Sequence, residues 1–319
     1  MSPVAIAART RRSENDFCDA LLEGLSRPLK RIPSKYFYDA AGSELFEQIT
    51  ALNEYYPTRT ELGILQSNAA DIASLIGPDV ELVEFGAGAL RKVRLLLGEL
   101  KSPRAYVPID IAGDFLLDVV RPLERDYPSL RVSPVIADFT KPIALGPLEN
   151  GAARRAGFFP GSTIGNFTRP EAVQFLRHAR ATLNGGGLLI GADLVKDPAI
   201  LHAAYNDAEG VTEAFNKNLL VRANHELGAD FDLSGFGHYA YYNAPAQRIE
   251  MYLVSLKAQC VTIAGEAIAF AEGEAIHTED SQKFTRDGFR TLAAEAGYSV
   301  RRVWTDPANL FSLQWLETV

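Results

Sequence analysis

The stretch Leu82–Leu97, LVEFGAGALRKVRLLL, decides the fold of this 319-residue chain. A strand-like apolar run ends in Glu84, glycines at positions 86 and 88 flank an alanine, and a helical pattern follows. Glycines at the carboxyl end of a strand remove side chains where a ligand must approach the backbone, and open α/β sheets bind their ligands at such strand ends. The stretch therefore predicts a strand, a ligand-binding turn and a helix.

Strand-like and helical runs alternate from about Ala69 to Lys196. The predicted strands are VELVEFGAG, AYVPID, LRVSPVIADF, AGFFPGSTIGN and GGGLLIGADLV, and the predicted helices cover Leu90–Leu100, Gly113–Arg125 and Pro170–Leu183. Strands separated by helix-length segments need crossover connections, which are right-handed in nearly all known sheets. The pattern predicts an α/β fold with a mainly parallel, doubly wound sheet.

After Lys196 the pattern changes. Residues 197–227 read as one long helical segment, and residues 247–270 read as paired strands broken near Ala258 or Gly265. Neither extends the alternation, so both indicate an insertion. A helix over Thr285–Ala296 and an antiparallel pair formed by YSVRRVWTD and FSLQWLET end the chain. A parallel sheet that ends in an antiparallel hairpin is the layout of class I methyltransferases, which have a Rossmann-like sheet.

The glycine turn and the acidic residues after it indicate which ligand the sheet binds. Asp110, in VPID, ends the next strand at about the distance expected for a carboxylate that binds ribose hydroxyls. A dinucleotide site would need a third glycine where Arg91 stands, so that the helix can face a pyrophosphate. S-adenosylmethionine has no phosphate, so Arg91 favours it over NAD, and Asp138 and Phe139 could hold its adenine. The alternative for Gly86–Gly88 is a plain tight turn.

Composition and charge exclude several classes of function. The chain is 47% hydrophobic and 23% charged with a net charge of -8, which argues against a nucleic-acid partner. No apolar run is long enough for a signal peptide core or a membrane span. Cys18 and Cys260 suggest neither a disulfide framework nor a zinc site, and we expect both to be buried free thiols. The five histidines are scattered, so we predict no metal. The two isolated cysteines and the lack of a signal peptide core predict a reducing, cytoplasmic setting, and we expect a monomer.

Several idiosyncratic blocks carry a family resemblance across nearly the whole chain. They are KYFYDAAGSELFEQIT (35–50), EYYPTRTE (54–61), PGSTIGNFT (160–168), GADLVKD (191–197), YNDAEGVTEAFNKN (205–218), RIEMYL (248–253) and EDSQKF (279–284). Through these blocks the sequence resembles the histidine Nα-methyltransferases of ergothioneine biosynthesis.

The resemblance implies two domains with the active site between them. Residues 61–196 and 287–319 would form the methyltransferase core that binds S-adenosylmethionine. Residues 13–60 and 197–286 would form an α+β substrate-binding domain, and residues 1–12 a flexible tail.

The resemblance also implies a set of site residues. Those that would surround S-adenosylmethionine are Tyr38, Gly86, Gly88, Lys92, Asp110, Asp138 and Phe139. Those that would surround the amino acid are Tyr56, Gly161, Asn166, Tyr205, Thr212, Glu279 and Ser281, with Asn166 and Tyr56 as the catalytic pair. The chain departs from the family at Ala87, Ala89 and Leu90, where many members carry hydroxyl residues, which puts hydrogen bonds from those positions to the cofactor in doubt.

The chemistry of methyl transfer fits these residue types. Transfer from a sulfonium is an in-line displacement, so the protein must above all hold a neutral amine near the methyl carbon. The Asn166 carboxamide could hold the α-amino and carboxylate groups, or it could simply favour the turn. The hydroxyls of Tyr56 and Tyr205 could orient a carboxylate or accept from an ammonium, and their rings tolerate a methylated cation, although core packing is the alternative.

Glu279 and Ser281 match the needs of an imidazole. They lie two residues apart in a segment that we expect to be extended, so both side chains point to the same side. A neutral imidazole has one N–H donor and one acceptor nitrogen, which a carboxylate and a hydroxyl can satisfy together. Such a pair would select histidine, because an apolar competitor leaves buried polar groups unpaired. The alternative is a solvated acidic loop, which the composition of TEDSQ also allows.

The leading hypothesis is an S-adenosylmethionine-dependent histidine Nα-methyltransferase. The resemblance implies three methylations of one nitrogen, which yield the trimethylammonium betaine hercynine and leave S-adenosylhomocysteine as the second product. The alternatives are a methyltransferase for another amino acid or amine, a Rossmann NAD(P)-dependent oxidoreductase, and a catalytically silent binding protein.

Overall fold

The computed structural model describes residues 16–319, so the predicted tail at residues 1–12 lies outside the described part of the chain. The α-helices are α1 (16–25), α2 (Ala40–Ala51), α3 (Tyr56–Ile76), α4 (Arg91–Glu99), α5 (Gly113–Asp126), α6 (Arg169–Leu183), α7 (Pro198–Tyr205), α8 (Val211–Leu227) and α9 (Arg286–Glu295). Within residues 16–319, no helix combines the length and the apolar composition that a bilayer crossing requires.

The strands follow the same chain order. They are β1 (Lys30–Arg31), β2 (Val80–Phe85), β3 (Ala105–Asp110), β4 (Arg131–Val132), β5 (Val135–Ile136), β6 (Arg154–Phe159), β7 (Leu188–Asp193), β8 (Phe236–Asn243), β9 (Arg248–Ser255), β10 (Gln259–Ile263), β11 (Glu266–Phe270), β12 (Ala275–Gln282), β13 (Tyr298–Thr305) and β14 (Phe311–Thr318).

The main sheet has the strand order β13-β14-β7-β6-β2-β3-β4, and β5 also pairs with β3. The pairs β2 with β3, β2 with β6 and β6 with β7 are parallel, whereas β14 runs antiparallel to both β7 and β13. The predicted α/β fold is confirmed: a doubly wound, Rossmann-like class I methyltransferase sheet that ends in an antiparallel hairpin.

Alternation along β2 explains why helices cover both faces of this sheet. All six residues of β2 are buried. Leu82 belongs to a core cluster with Leu96 of α4 and Leu116 of α5, whereas Val83 belongs to a second cluster with Phe175 of α6. Successive strand residues point to opposite faces, and each buried large apolar side chain contributes about 1.5–3 kcal/mol. With both faces packed, polar side chains collect at the carboxyl ends of the strands.

Two local features differ from the sequence expectation. Helix α4 begins at Arg91 because its N-cap, Leu90, has a left-handed backbone with φ of 59°. The third predicted strand forms only the two-residue strands β4 and β5. Pro134 stands in the gap between them, and proline has no backbone N–H to continue a ladder.

The inserted segment holds two helices where the sequence suggested one. Asp207 interrupts the segment because its carboxylate accepts from the backbone N–H groups of Val211 and Thr212, which start a new helix at α8. Gly210 supplies the left-handed N-cap, with φ of 71°. The prediction of one continuous helix is therefore wrong, because the local N-terminal hydrogen bonds outweigh the helical pattern. The strand breaks predicted near Ala258 and Gly265 both occur.

The described chain divides into two compact units. The core unit contains Tyr55–Asp197, Pro245–Arg248 and Ser281–Val319, and the inserted unit contains the described residues up to Glu54, Pro198–Ala244 and Ile249–Asp280. The strand order β1-β12-β9-β8 forms one sheet, and β10 with β11 forms a separate antiparallel hairpin. The cofactor-binding and substrate-binding roles of the two domains stay predictions.

The cysteines require one correction. Cys18 is half-buried and Cys260 is exposed, so the prediction of two buried thiols is wrong. Cys260 lies on β10, where its buried neighbour Val261 takes the packed side and alternation turns the thiol outward.

Candidate functional site

The glycine turn after β2 brings two of the predicted cofactor residues together. Gly86 has φ of 69°, and a Cβ built there would lie 3.3 Å from the Phe139 ring. A side chain at this position would be both strained and crowded, so glycine is required. The Phe139 ring in turn packs edge-on against Phe159, at 5.6 Å between ring centroids.

Asp110 stands at the end of β3 beside the same turn. Its Oδ2 accepts from the backbone N–H of Gly88 at 3.3 Å, and its Oδ1 accepts from that of Ala112 at 2.9 Å. These bonds fix the carboxylate next to the glycines, and its role in binding ribose stays a prediction. Asp138 follows β5 and accepts from the Thr140 N–H at 3.0 Å.

Lys92, the remaining predicted cofactor residue of the core unit, pairs with a buried carboxylate. Its Nζ lies 2.6 Å from Oε2 of Glu61, a residue of α3 with no exposed surface. The same carboxylate accepts from the Gly161 N–H at 2.9 Å. A Cβ at Gly191 would come within 2.4 Å of Glu61 Oε1, so the carboxylate fits only beside a glycine. Glu61 thus ties α3 and α4 to the loop after β6.

Glu84 is a second buried carboxyl group at the end of β2. The Tyr106 hydroxyl donates a short hydrogen bond to it. Burial raises the pKa of Glu84 to about 8, although the Tyr106 hydrogen bond and the nearby Lys92 charge lower it. Glu84 is therefore mainly protonated at neutral pH, and it adds little negative charge beside Asp110.

A cluster of polar side chains centres on Asp193, at the carboxyl end of β7. The Tyr56 hydroxyl donates to Asp193 Oδ2 at 2.6 Å. Lys196 donates to the Tyr56 hydroxyl at 2.6 Å, to Asp193 Oδ1 and to the Leu194 carbonyl. An ammonium has three N–H groups, so these three acceptors use all the donors of Lys196.

Lys283 completes this cluster from the chain that follows β12. Its side chain is only 1% exposed, and its Nζ lies 2.9 Å from Asp193 Oδ2. It also donates to Ser281 Oγ at 2.8 Å. Tyr56 and Ser281, both predicted substrate contacts, are thereby linked through one buried carboxylate. We call Tyr56, Asp193, Lys196, Ser281 and Lys283 the Asp193 cluster.

Electrostatics within the Asp193 cluster are strongly coupled. Burial alone would raise the pKa of the Asp193 carboxyl, but Lys283 and Lys196 beside it hold that pKa below its usual value. Burial lowers the pKa of Lys196 to about 8 despite its contact with Asp193. The carboxylate stays ionised at neutral pH and holds both ammonium groups in place.

The loop after β6 carries Gly161 and Asn166. Residues Thr163–Asn166 form a short 3-10 helix that ends at the half-buried Asn166. Ser162 Oγ accepts from the Asp193 backbone N–H at 2.9 Å. A Cβ at Gly165 would lie 2.8 Å from the Gln282 carbonyl. The turn that bears Asn166 is therefore packed against the ends of β7 and β12, beside the Asp193 cluster.

Glu279 and Ser281 lie on β12, as the sequence predicted for an extended segment. Glu279 is 8% exposed and Ser281 is 5% exposed. Their spacing on the strand places both side chains on one face. The alternative of a solvated acidic loop is wrong, because both side chains are buried in a strand.

Tyr38, Tyr205 and Thr212 belong to the inserted unit. Tyr38 packs edge-on against Phe46 and Phe215, at 5.7 and 5.8 Å between ring centroids. Tyr205 ends α7, and its carbonyl accepts from His238 Nε2 at 2.9 Å. Thr212 stands in the first turn of α8 with its side chain buried. These contacts all lie within the inserted unit.

Sequence reasoning missed the charged residues that organise the core-unit site. Glu61, Asp193, Lys196 and Lys283 were not singled out, although all four stand in the quoted family blocks. A usable signal was present: Asp193 ends an apolar strand, where an ionised side chain needs a partner. The partners come from positions far away along the chain, so the sequence does not reveal them.

Comparisons with known proteins agree with this architecture. The family described as "Histidine-specific methyltransferase, SAM-dependent" matches residues 17–318. A histidine N-alpha-methyltransferase of Mycolicibacterium smegmatis is 43% identical over 91% of each chain. The ergothioneine biosynthesis protein 1 of Neurospora crassa is 30% identical over 86% of this chain and 32% of its own length.

Among solved structures, a Burkholderia thailandensis 1,6-didemethyltoxoflavin-N1-methyltransferase with bound S-adenosylhomocysteine matches with a TM-score of 0.47. It is 12% identical, over 92% of this chain and 93% of that one. The extent of the family match, together with the identity to the mycobacterial relative, is decisive. The chain belongs to the family of S-adenosylmethionine-dependent, histidine-specific methyltransferases.

Proposed function

We propose that this protein methylates the α-amino nitrogen of histidine, up to the trimethylammonium betaine hercynine, in ergothioneine biosynthesis. The names of its relatives, histidine N-alpha-methyltransferase and ergothioneine biosynthesis protein 1, support the substrate and the pathway. The monomeric state and the cytoplasmic location that the sequence suggested belong to the same proposal.

The glycine turn fits S-adenosylmethionine. Gly86 has a left-handed backbone and a Cβ there would crowd Phe139, whereas a Cβ at Gly88 would meet open space. Asp110 offers a carboxylate to the ribose hydroxyls next to this turn, and Arg91 stands where a pyrophosphate site would need its third glycine. S-adenosylmethionine supplies an electrophilic methyl group when bound. Gly86, Gly88, Asp110, Asp138 and Phe139 would hold it.

The observation that carries the histidine assignment is the burial of Glu279 and Ser281 on one face of β12. A carboxylate and a hydroxyl in that arrangement can pair with both ring nitrogens of a neutral imidazole. An amino acid with an apolar side chain would make neither of these hydrogen bonds, and each is worth about 0.5–1.5 kcal/mol. Recognition by these two side chains therefore favours histidine over apolar amino acids of similar size.

Tyr56 and Asn166 would hold the reacting amine. The Tyr56 hydroxyl donates a hydrogen bond to Asp193, and its oxygen accepts one from Lys196. These two hydrogen bonds fix both the position and the orientation of the phenol hydroxyl. Asn166 stands on a short turn whose neighbours pack tightly. An in-line displacement is faster when the amine is held rigidly. The amine then loses its translational and rotational freedom on binding and not in reaching the transition state.

Another amino acid or amine is the second candidate substrate. A substrate with a side chain other than imidazole would not pair with both Glu279 and Ser281 in the proposed way. The NAD(P)-dependent oxidoreductase alternative is not supported, since the family match covers nearly the whole chain.

A product assay tests the proposed function. Purified protein is incubated with S-adenosylmethionine and each common amino acid in turn, and products are identified by mass spectrometry. We expect histidine to give products shifted by one, two and three methyl groups, with hercynine accumulating. A protein that methylates another amino acid faster than histidine, or none at all, would refute the proposal.

A further inference from the structure

Lys283 is a buried cation whose position suggests a role in substrate recognition. It is 1% exposed, and its Nζ lies 2.9 Å from Asp193 Oδ2 and 2.8 Å from Ser281 Oγ. A lysine is rarely buried this deeply unless it is paired, and Asp193 provides the pairing charge. A buried ammonium must place three N–H groups, and Ser281 Oγ is an acceptor for one of them beside Asp193.

The direction of the Lys283–Ser281 hydrogen bond is fixed by chemistry. An ammonium carries three donors and no acceptor, so Ser281 Oγ must accept from Lys283. A serine hydroxyl has a single proton, and here that proton must point away from the ammonium. Ser281 therefore acts as a donor toward any acceptor on its other side.

We propose that Lys283 is a positioning residue that fixes Ser281 as a hydrogen-bond donor to the unprotonated nitrogen of the substrate imidazole. The ring N–H is then left for the Glu279 carboxylate, two residues earlier on the same face of β12. This inference rests on the proposed function, because it names the substrate group that Ser281 binds. Lys283 would thus contribute to recognition of the imidazole ring without contacting the ring itself.

Asp193 gives the inference a matched control. The carboxylate holds two ammonium groups, and Lys196 contacts the Tyr56 hydroxyl whereas Lys283 contacts Ser281. Lys196→Met and Lys283→Met each remove one positive charge from the same carboxylate. Only Lys283→Met removes the group that orients the Ser281 hydroxyl. Comparison of the two variants therefore distinguishes the effect of the lost charge from the effect of the lost hydroxyl orientation.

The experiment compares histidine with its pyrrole analogues, pyrrol-2-ylalanine and pyrrol-3-ylalanine. Each keeps a ring N–H and has C–H in place of the acceptor nitrogen. A fixed donor that meets C–H is left unsatisfied, so the wild type should prefer histidine over the better analogue by about 10–100-fold in kcat/KM. Lys283→Met frees the Ser281 hydroxyl to rotate, and we expect the preference to fall about tenfold. The loss should appear mainly in the KM for histidine, with kcat changed much less.

Two further measurements show whether Lys283 acts through Ser281. Ser281→Ala should lower the preference as Lys283→Met does, and the double variant should lose no more than either single one. Lys196→Met should keep the preference while changing kcat. If Lys283→Met does not fold, Lys283→Met with Asp193→Asn serves in its place, and Lys196→Met with Asp193→Asn is then its matched control.

The outcomes distinguish this inference from the proposed function. If the wild type does not methylate histidine, the proposed function fails and takes the inference with it. If the wild type methylates histidine but Lys283→Met retains the full preference over the pyrrole analogues, the inference alone is overturned. An equal loss of preference in Lys196→Met would also overturn it, because the effect would then follow charge and not the direction of the hydroxyl.

Discussion

Two buried carboxylates of the core unit, Glu61 and Asp193, show how one kind of group can serve different ends. Glu61 accepts from the Gly161 backbone N–H and pairs with Lys92. Asp193 accepts from the Tyr56 side chain and pairs with two lysines. Glu61 therefore fixes a piece of backbone, whereas Asp193 fixes side chains that can face a ligand.

Glu61 and Asp193 thus have different roles: one holds a loop in place, and the other orients side chains for the chemistry. A carboxylate bonded to a backbone N–H sets where the chain runs, and its loss moves the whole loop. A carboxylate bonded to a hydroxyl sets which way a proton points, and its loss can leave the chain in place. Of the predicted catalytic pair, Tyr56 is held by Asp193, whereas Asn166 lies on the loop that Glu61 holds through Gly161.

The largest effect on stability is expected from Asp193→Ala. Removal of the carboxylate leaves the ammonium groups of Lys196 and Lys283 buried without their shared partner. Breaking a buried ion pair from one side costs about 3–5 kcal/mol, and urea unfolding measures the loss. Asp193→Ala combined with Lys196→Met and Lys283→Met should recover much of it. Equal stability of Asp193→Ala and the wild type would contradict the assigned role of Asp193.

A pH effect of comparable size is expected at Glu84. In the unfolded chain this carboxyl ionises near its ordinary pKa of 4.5, whereas burial raises the folded pKa to about 8. Between these values the unfolded state binds fewer protons, so the contribution of Glu84 lowers folding stability as pH rises, by about 1.4 kcal/mol per pH unit. Glu84→Gln resembles the protonated group, and it should gain stability over the wild type between pH 5 and 8. If the free energies of unfolding of Glu84→Gln and the wild type changed in parallel with pH, the raised pKa of Glu84 would be contradicted.

A smaller effect is expected where Glu61 holds the loop. Glu61→Gln keeps an acceptor for the Gly161 N–H but loses the charge opposite Lys92, so it should cost about 1–3 kcal/mol of stability. The loop after β6 carries the predicted substrate contacts Gly161 and Asn166, and it moves less when its backbone bond is kept, so histidine affinity should fall less in Glu61→Gln than in Glu61→Ala. Calorimetric titration with histidine and urea unfolding check both values. An unchanged histidine affinity in both variants would show that the loop does not support the substrate site.

The smallest stability effect is expected from Tyr56→Phe, which should cost about 1 kcal/mol through loss of one hydrogen bond to Asp193. Activity should suffer more than stability, because the hydroxyl is a predicted contact of the reacting amino acid. We expect a clear drop in kcat/KM for histidine with a melting temperature within a few degrees of the wild type. A variant with full activity would remove Tyr56 from the catalytic pair.

The sequence predicted the alternation of strands and helices from β2 to β7, although it did not predict helix α3 or the division of the third strand into β4 and β5. Alternation and the glycine turn predicted β2, its turn and α4, and the pattern at the end of the chain predicted the β13–β14 hairpin. Local rules work there because each residue's partner lies within the same element or the next one. They fail at residues 197–227, where Asp207 caps a second helix inside a continuous helical pattern.

The family blocks likewise named the residues of the site but not their connections. From the sequence alone, the residue types and the resemblance predicted that Tyr56 and Ser281 contact an amino acid. Only the tertiary structure decided that Asp193 and Lys283 join them, because Tyr56 and Asp193 lie 137 positions apart. Hydrogen-bond direction and ion pairing depend on distances of about 3 Å, which the fold sets and the order of residues does not.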